Sequence, residues 1–420
     1  MKQAAPLQSF PIDAVREQFP SLHATDDGKP RVYLDNPAGT QVPRSVADAA
    51  ANALLHCNAN LGGYFRTSRI AESVVQKAHE AMAAFVNASS YREVVIAQSM
   101  TNLTFHMAQS IARTLKSGDE IVLTRMDHDG NIGPWLMMAE DLGVTVRWVA
   151  FNRESWVIAP EDLRAVLSER TKLVALNYAS NLTGSINDIA ALTAIAKETG
   201  ALVVVDAVQY APHGLIDVQA LNCDMLACSS YKFFGPHLGI LWAREALLES
   251  LTAYKVRPQT AELPWKFETG TPQIELQAAL TATVDYFDWL GKTCGAEGSA
   301  RECITAAFAH SRTYETTLVS RLIDGLKHMP RVQIHGITDP SQFDRRVPTV
   351  SFNVDGHSPH DIARALAAEN VFVWSGNNFA LELVRALGLP EDEGVVRIGA
   401  AHYNTTAEID AALAALEHAL

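Results

Sequence analysis

The chain has 420 residues, about 2.8 times a typical domain of ~150, so two domains are expected rather than one. Apolar residues make up 48 % and charged residues 19 %, which excludes a disordered chain; a chain of this length buries its core without disulfides or a structural metal. Lys plus Arg is 34 against 47 for Asp plus Glu, a net charge of −13 that argues against nucleic acid and anionic membranes as partners.

Met1 to Pro20 has no apolar core behind a basic start, so no signal peptide is expected. No run of about 20 apolar residues predicts a membrane span. Short β-rich runs then alternate with helical patterns. The strands expected are Val94–Ala97, Glu120–Leu123, Val144–Val149, Leu173–Asn177, Ala201–Asp206, Met225–Ser229 and Gly239–Trp242. Helical stretches at Asn102–Leu115, Ile132–Leu142, Pro160–Leu167 and Asp188–Thr199 lie between several of them. Such alternation predicts an α/β domain with a mostly parallel sheet covered on both faces, whose ligands sit at the carboxyl ends of the strands.

Beyond about residue 290 the pattern changes. A long helix is expected over Ala300–His328, then strands near Val332–His335 and Thr349–Val354, a helix near Pro359–Glu369 and a last helix from Ala407. The organisation expected is a large domain over 31–287, with residues 1–30 and 288–420 forming a smaller α+β domain. Cys57, Cys223, Cys228, Cys294 and Cys303 are scattered without a C-x-x-C pair, which suggests reduced thiols and a cytoplasmic protein. The spacing of His357 and His360 suits a metal, but Pro359 between them reads as a helix start, and no metal site is expected. No G-x-G-x-x-G or P-loop is present, which weighs against a dinucleotide or nucleoside triphosphate enzyme.

Chemistry is sought where strands end. Asp206 closes Leu202-Val-Val-Val-Asp206, and 26 residues later Lys232 closes Ser229-Ser-Tyr-Lys232 after the strand Met225–Cys228. Burial lowers the pKa of a lysine and makes it a nucleophile and base. A strand-end Asp with a later strand-end Lys is what pyridoxal phosphate requires: the lysine forms a Schiff base, and the carboxylate keeps the pyridine nitrogen protonated. Further segments complete this pattern. His128 in Asp127-His-Asp-Gly-Asn131 is able to stack on a flat ring, and Ser99-Met-Thr-Asn102 opens a helix whose free amides suit a phosphate. Asn181 and Gln209 suit a phenolic oxygen, and the guanidinium of Arg397 suits an α-carboxylate. Each also has an ordinary alternative, namely a cap, an Asx-turn or a structural ion pair.

Taken in order, from Tyr33-Leu-Asp-Asn-Pro-Ala-Gly-Thr40 to His402-Tyr-Asn-Thr405, these segments resemble the class V aminotransferase, or cysteine desulfurase-like, family. Asn58-Ala-Asn-Leu-Gly-Gly63, Ser230-Tyr-Lys-Phe-Phe-Gly-Pro-His-Leu-Gly239 and Phe267-Glu-Thr-Gly-Thr271 point to its desulfurase-like branch. The resemblance implies a pyridoxal phosphate enzyme of fold type I, with a mostly parallel seven-stranded sheet, working as a homodimer with shared active sites. Carried over residue by residue, Lys232 is the Schiff-base lysine, Asp206 pairs with the pyridine nitrogen and His128 stacks on the ring. Asn181 and Gln209 flank the ring hydroxyl. Met100, Thr101, Ser229 and Tyr231 hold the phosphate, and Thr271 reaches the phosphate of the neighbouring subunit. Arg397 binds the substrate carboxylate, with Ala38 and Asn378 beside it, and Tyr64, Phe65, Arg66, Trp374 and Asn377 are further pocket candidates.

One departure affects the activity. The loop that carries the persulfide cysteine in group II desulfurases reads Trp374-Ser-Gly-Asn-Asn-Phe-Ala380 here, with Phe379 in the cysteine's place. The expected activity is therefore C–S β-elimination or desulfurase-like chemistry on an amino acid held as an external aldimine. An aminotransferase or epimerase is the alternative, and a non-catalytic scaffold is disfavoured by the intact set.

Overall fold

The computed structural model describes residues 10–420. The expectation about a targeting signal in Met1–Pro20 falls in part on residues 1–9, which lie outside the described residues. Seven strands form the main sheet, in spatial order Val94–Ala97, Gly239–Ala243, Met225–Ser229, Leu202–Asp206, Thr171–Asn177, Glu120–Thr124 and Thr145–Val149. All seven were expected, with ends shifted by a residue or two. Gly239–Ala243 runs antiparallel to both its neighbours; the other pairs are parallel.

The inner strands are mostly apolar because both faces of the sheet are buried there, whereas the edge strand Thr145–Val149 alternates exposed and half-buried residues. Side chains alternate between the faces, and the alternation sorts them into two cores. Val122, Val174, Val203, Val205, Leu226 and Ile240 enter one cluster, and Ile121, Leu123, Leu173, Val204, Met225 and Leu241 enter the other. Helices cap where the sequence supplies an acceptor. The Ser99 hydroxyl accepts from the Asn102 amide (3.1 Å), and the Asp188 carboxylate accepts from the Ala191 amide (3.1 Å).

A second, antiparallel sheet has the order Val332–His335, Thr349–Val354, Val395–Gly399 and Trp374–Gly376. The helices Ala300–His328, Pro359–Ala368 and Thr406–Ala419 cover it, burying Leu318, Leu322, Ile362, Leu366, Ile409 and Leu416 against Val350, Phe352, Val396 and Ile398. The chain near the N-terminus joins both regions. Val15, Phe19 and Leu22 pack into a core of the seven-stranded sheet, whereas Val32 and Leu34 pack under the smaller one. Val32–Tyr33 pairs with Val371–Phe372, and Asp35 bridges to Gly399, so residues 35–40 pass along the gap between the sheets. Among the described residues, no helix is long and apolar enough to cross a membrane.

Candidate active site

The order of the main sheet reverses between Glu120–Thr124 and Thr171–Asn177: one connects outward to Thr145–Val149, the other back to Leu202–Asp206. Loops diverge there and leave a crevice at the carboxyl edge. A cavity of about 570 Å³ lies over this edge. Asn177 and Asp206 stand side by side in register, and Asp206 faces Ala227 on the next strand. Ala38, Met100, Thr101, His128, Asn181, Asp206, Gln209, Ser229, Tyr231, Lys232, Asn378 and Arg397 all line it.

Lys232 donates from Nζ to the carbonyls of Pro37 and Ala38 and lies 4.9 Å from the centre of the Tyr231 ring. Burial, then the nearby Arg397 charge, lowers its pKa to about 7, although Asp35 and Asp206 oppose the shift. An amine in this state is neutral for much of the time near neutral pH, which a surface lysine is not. Asp206 is 5 % exposed and accepts the Val208 amide at 2.8 Å. Burial raises its pKa. Asp127 lies close by, 1 % exposed, and takes hydrogen bonds from the Thr124 hydroxyl (2.9 Å) and the Asn131 amide (3.2 Å). Burial first, and the Asp206 charge second, push Asp127 well above the usual carboxylate range. Two buried carboxyls this close do not both ionise freely, so Asp127 takes the proton and Asp206 keeps its charge.

His128 accepts the Gly130 amide at Nδ1 (2.9 Å), and burial together with Lys232 and Arg397 lowers its pKa to about 4. Its ring is neutral and fixed. The helix Met100–Ala112 starts at the cavity, and Gly239 on the neighbouring strand lets it come close: a Cβ there would lie 2.1 Å from the Ser99 carbonyl carbon and 2.3 Å from the Met100 amide nitrogen. Gly130 is tight to a lesser degree, since a Cβ would lie 2.9 Å from the Thr101 hydroxyl, a side-chain atom.

The smaller sheet supplies Arg397. It is 4 % exposed and donates to the Asn181 carbonyl (3.1 Å) and to Asp35 (3.4 Å). Its Nε, the Asn181 Oδ1 and the Asn378 Oδ1 are buried without hydrogen-bond partners. Unmet polar atoms in the wall of a cavity mark a place built for a polar ligand. Free amides at a helix start, a charged strand-end carboxylate, a neutral flat ring and a buried amine are together the donor set that pyridoxal phosphate needs, and these residues fit it.

Thr271 does not reach this cavity; it lies exposed on a turn. Tyr64 is 95 % exposed, and with Arg66 it lines a separate surface hollow beside Arg69. Asn377 spends its side chain on the Glu391 carbonyl (3.0 Å) and the Phe379 amide (3.0 Å) instead of on the cavity. Phe65, expected with them, is likewise absent from the lining. Sequence reasoning gave no role to Asp35, Phe105, Asp129 or Asn177. Asp35 ends the apolar pair Tyr33-Leu34 as Asp206 ends its strand, and this signal was available. Phe105 lies four residues after Thr101, one turn along the same helix face.

These features define a class before they define a branch: an α/β enzyme with a buried amine at the carboxyl edge of its sheet. The chain belongs to the class V aminotransferase family, whose profile, aminotransferase class-V, matches residues 32–412. It is 35 % identical over 98 % of its length to an aminotransferase-like protein of Gibberella zeae, covering 99 % of that protein. It is 34 % identical to a probable cysteine desulfurase of Synechocystis, over 96 % of this chain and 94 % of the other. The solved cysteine desulfurase of Thermococcus onnurineus superposes with a TM-score of 0.85 at 28 % identity, over 99 % of both chains. The protein is thus a pyridoxal phosphate-dependent enzyme of the cysteine desulfurase-like group, with fold type I.

Proposed function

We propose that the enzyme is a lyase that eliminates the β-substituent of a sulfur-bearing amino acid without a protein thiol. The observation that carries this reading is the lining of the cavity, which holds the pyridoxal phosphate donor set and no cysteine. Cys57, Cys223, Cys228, Cys294 and Cys303 are all buried elsewhere. Burial pushes the Cys223 thiol up to about 12 and the Cys228 thiol higher still, so neither is a usable nucleophile. Phe379 lines the cavity in the loop where the resemblance places the persulfide cysteine.

The roles proposed follow from the geometry. Arg397 holds the substrate carboxylate through the guanidinium edge that Asn181 and Asp35 leave free. Lys232 holds the cofactor and, once displaced, takes the Cα proton on Nζ. Pyridoxal phosphate supplies, when bound, an acceptor for the electrons that this proton leaves behind. Asp206 keeps the proton on the ring nitrogen, His128 stacks on the ring, and Asn181 and Gln209 flank its hydroxyl. The amides of Met100 and Thr101, with Ser229 and Tyr231, take the phosphate. The electrons left at Cα form the Cα–Cβ double bond as the C–S bond breaks; sulfur departs with that bond's pair and takes a proton, and water converts the released 2-aminoacrylate to pyruvate and ammonia, so no protein thiol is required. Thr271 serves the phosphate of a second copy in a homodimer with shared sites, which agrees with its distance from its own cavity. The five unpaired cysteines support a cytoplasmic setting.

The test is product analysis after incubating the holoenzyme with L-cysteine and L-cystine. Pyruvate with ammonia is expected. Alanine with released sulfur overturns the reading in favour of desulfuration. Stoichiometric conversion to the pyridoxamine form shows transamination, and solvent deuterium at Cα of unchanged substrate shows epimerisation.

A further inference from the structure

The outer part of the cavity is built differently from its floor. Phe105, Trp374 and Phe379 line it while 38 %, 53 % and 70 % exposed. Large apolar side chains left in water around one opening are costly unless something covers them. Their positions are set by the residues beneath. Phe105 stands one helical turn beyond Thr101. Trp374 pairs with Arg397 across antiparallel strands, so both side chains leave the sheet on the same face. The Phe379 ring stacks on His128 at 5.6 Å, with 27° between the planes.

Phe379 is also held at a backbone cost. Asn378 and Phe379 both have positive φ, 54° and 56°. Asn tolerates that region; a bulky aromatic residue seldom enters it. The conformation is fixed from outside: the Asp129 amide donates to the Phe379 carbonyl (2.6 Å), and the Asn181 side chain donates to the Asn378 carbonyl (2.8 Å). Strain maintained by several contacts at a ligand cavity signals a use for the side chain it displays.

The charges around the opening favour one kind of substrate. The lysine and arginine that line the cavity are Lys232 and Arg397, and both already have work to do. The half-buried acid of the lining is Asp129, which feels the charges of Glu382 and Arg385 and whose carboxylate accepts no hydrogen bond among the described residues. Within the lining that one copy of the chain supplies, a second carboxylate on a substrate therefore meets an acid and finds no spare lysine or arginine.

We propose that Phe105, Trp374 and Phe379 select an amino acid whose β-substituent is bulky and apolar, such as an aryl or alkyl thioether of cysteine, and that Asp129 rejects acidic side chains. This rests on the reading of Arg397 as the α-carboxylate site; it does not depend on which bond is later broken. The test is a spectral titration of the holoenzyme with L-phenylalanine, L-alanine and L-aspartate, none of which carries a β-substituent that departs with its bonding electron pair. L-Phenylalanine should bind about tenfold tighter than L-alanine, with L-aspartate weakest. Phe379→Ala should remove most of the aromatic preference, Phe379→Tyr should retain it, and Asp129→Asn should bring L-aspartate up to the level of L-alanine. Equal binding of all three, or a preference unchanged in both Phe379→Ala and Trp374→Ala, overturns the proposal. S-benzyl-L-cysteine separates the two readings. Tight binding without pyruvate keeps the selectivity and removes the lyase; pyruvate from L-cysteine together with equal binding of the three amino acids keeps the lyase and removes the selectivity.

Discussion

The floor and the opening of the same cavity follow opposite rules. On the floor, Asp127, Asp206 and Arg397 are almost completely buried, and each is tied by at least one hydrogen bond to a strand or the loop just after it. At the opening, Phe105, Trp374 and Phe379 are exposed, and the last is held in a strained backbone by bonds from other segments. The floor suits a reaction common to many substrates, because it orients charge and proton positions that belong to the cofactor. The opening suits choice among substrates, because it contacts only what differs between them.

The largest effect should come from breaking the floor. Lys232→Ala should lose the visible band of the covalently held cofactor and lower kcat by about 10⁴, the upper end for a positioned acid–base group. Persistence of a borohydride-reducible cofactor linkage in that variant would place the linkage on another lysine. Next in size is a contrast between the two neighbouring acids. Asp206→Asn removes the charge opposite the ring nitrogen and should lower kcat by about 10²–10³. Asp127→Asn keeps the shape of an acid that is already protonated, and kcat should stay within about threefold of wild type. Equal losses in the two variants would mean that the charge is shared between them.

How far the cavity was legible in the sequence follows the same division. Asp206 and Lys232 stood out because each closes an apolar run, and a strand that is buried on both faces shows its ends plainly. The inner strands of the main sheet were readable for the same reason, and the half-exposed edge strand Thr145–Val149 by its β-rich composition. The second sheet was half readable: Trp374–Gly376 and Val395–Gly399 were not expected as strands, since one is short and the other was read only for its arginine. The opening was legible only in part: Trp374 was a pocket candidate and Phe379 stood in the cysteine's place, but nothing pointed to Phe105 or Asp129. It brings together residues near 105, 129 and 379, and no periodicity connects segments so far apart. Thr271, Tyr64 and Arg66 show the converse, since a motif names a residue without saying which cavity it faces.

The lysine also offers a comparison by pH. Only its neutral amine attacks the aldehyde of the cofactor, and burial sets its pKa to about 7. The rate of reconstitution of the apoprotein should rise about tenfold per pH unit below that value and level off above it. An ordinary lysine would keep rising to about pH 10. Stopped-flow absorbance over this range measures the difference, and a plateau only near pH 10 would mean that the amine is not desolvated.

The last effect lies outside the cavity and bears on stability instead of rate, at the segment that carries Thr271. Glu268 accepts the Ile96 amide on the edge strand (2.7 Å) and faces Nε2 of His79 (2.7 Å). His79 is fully buried, and its Nδ1 faces the Val75 carbonyl at 2.8 Å. Both ring nitrogens thus meet acceptors, so both must donate, and the ring is charged. Burial lowers the pKa of His79, but the charge and hydrogen bond of Glu268 outweigh it and the net shift is upward. A raised native pKa stabilises the fold fully below the unfolded value of about 6.5, and the contribution is lost as pH rises through the native value. Glu268→Gln should therefore cost about 1.5–3 kcal/mol at roughly pH 6, the worth of a charged hydrogen bond, and less at roughly pH 9. Urea denaturation of both proteins at the two pH values measures it. A cost that does not change with pH would make the His79 ring neutral and the contact an ordinary hydrogen bond. The Thr271 turn would then be held by the Ile96 amide and not by a buried ion pair.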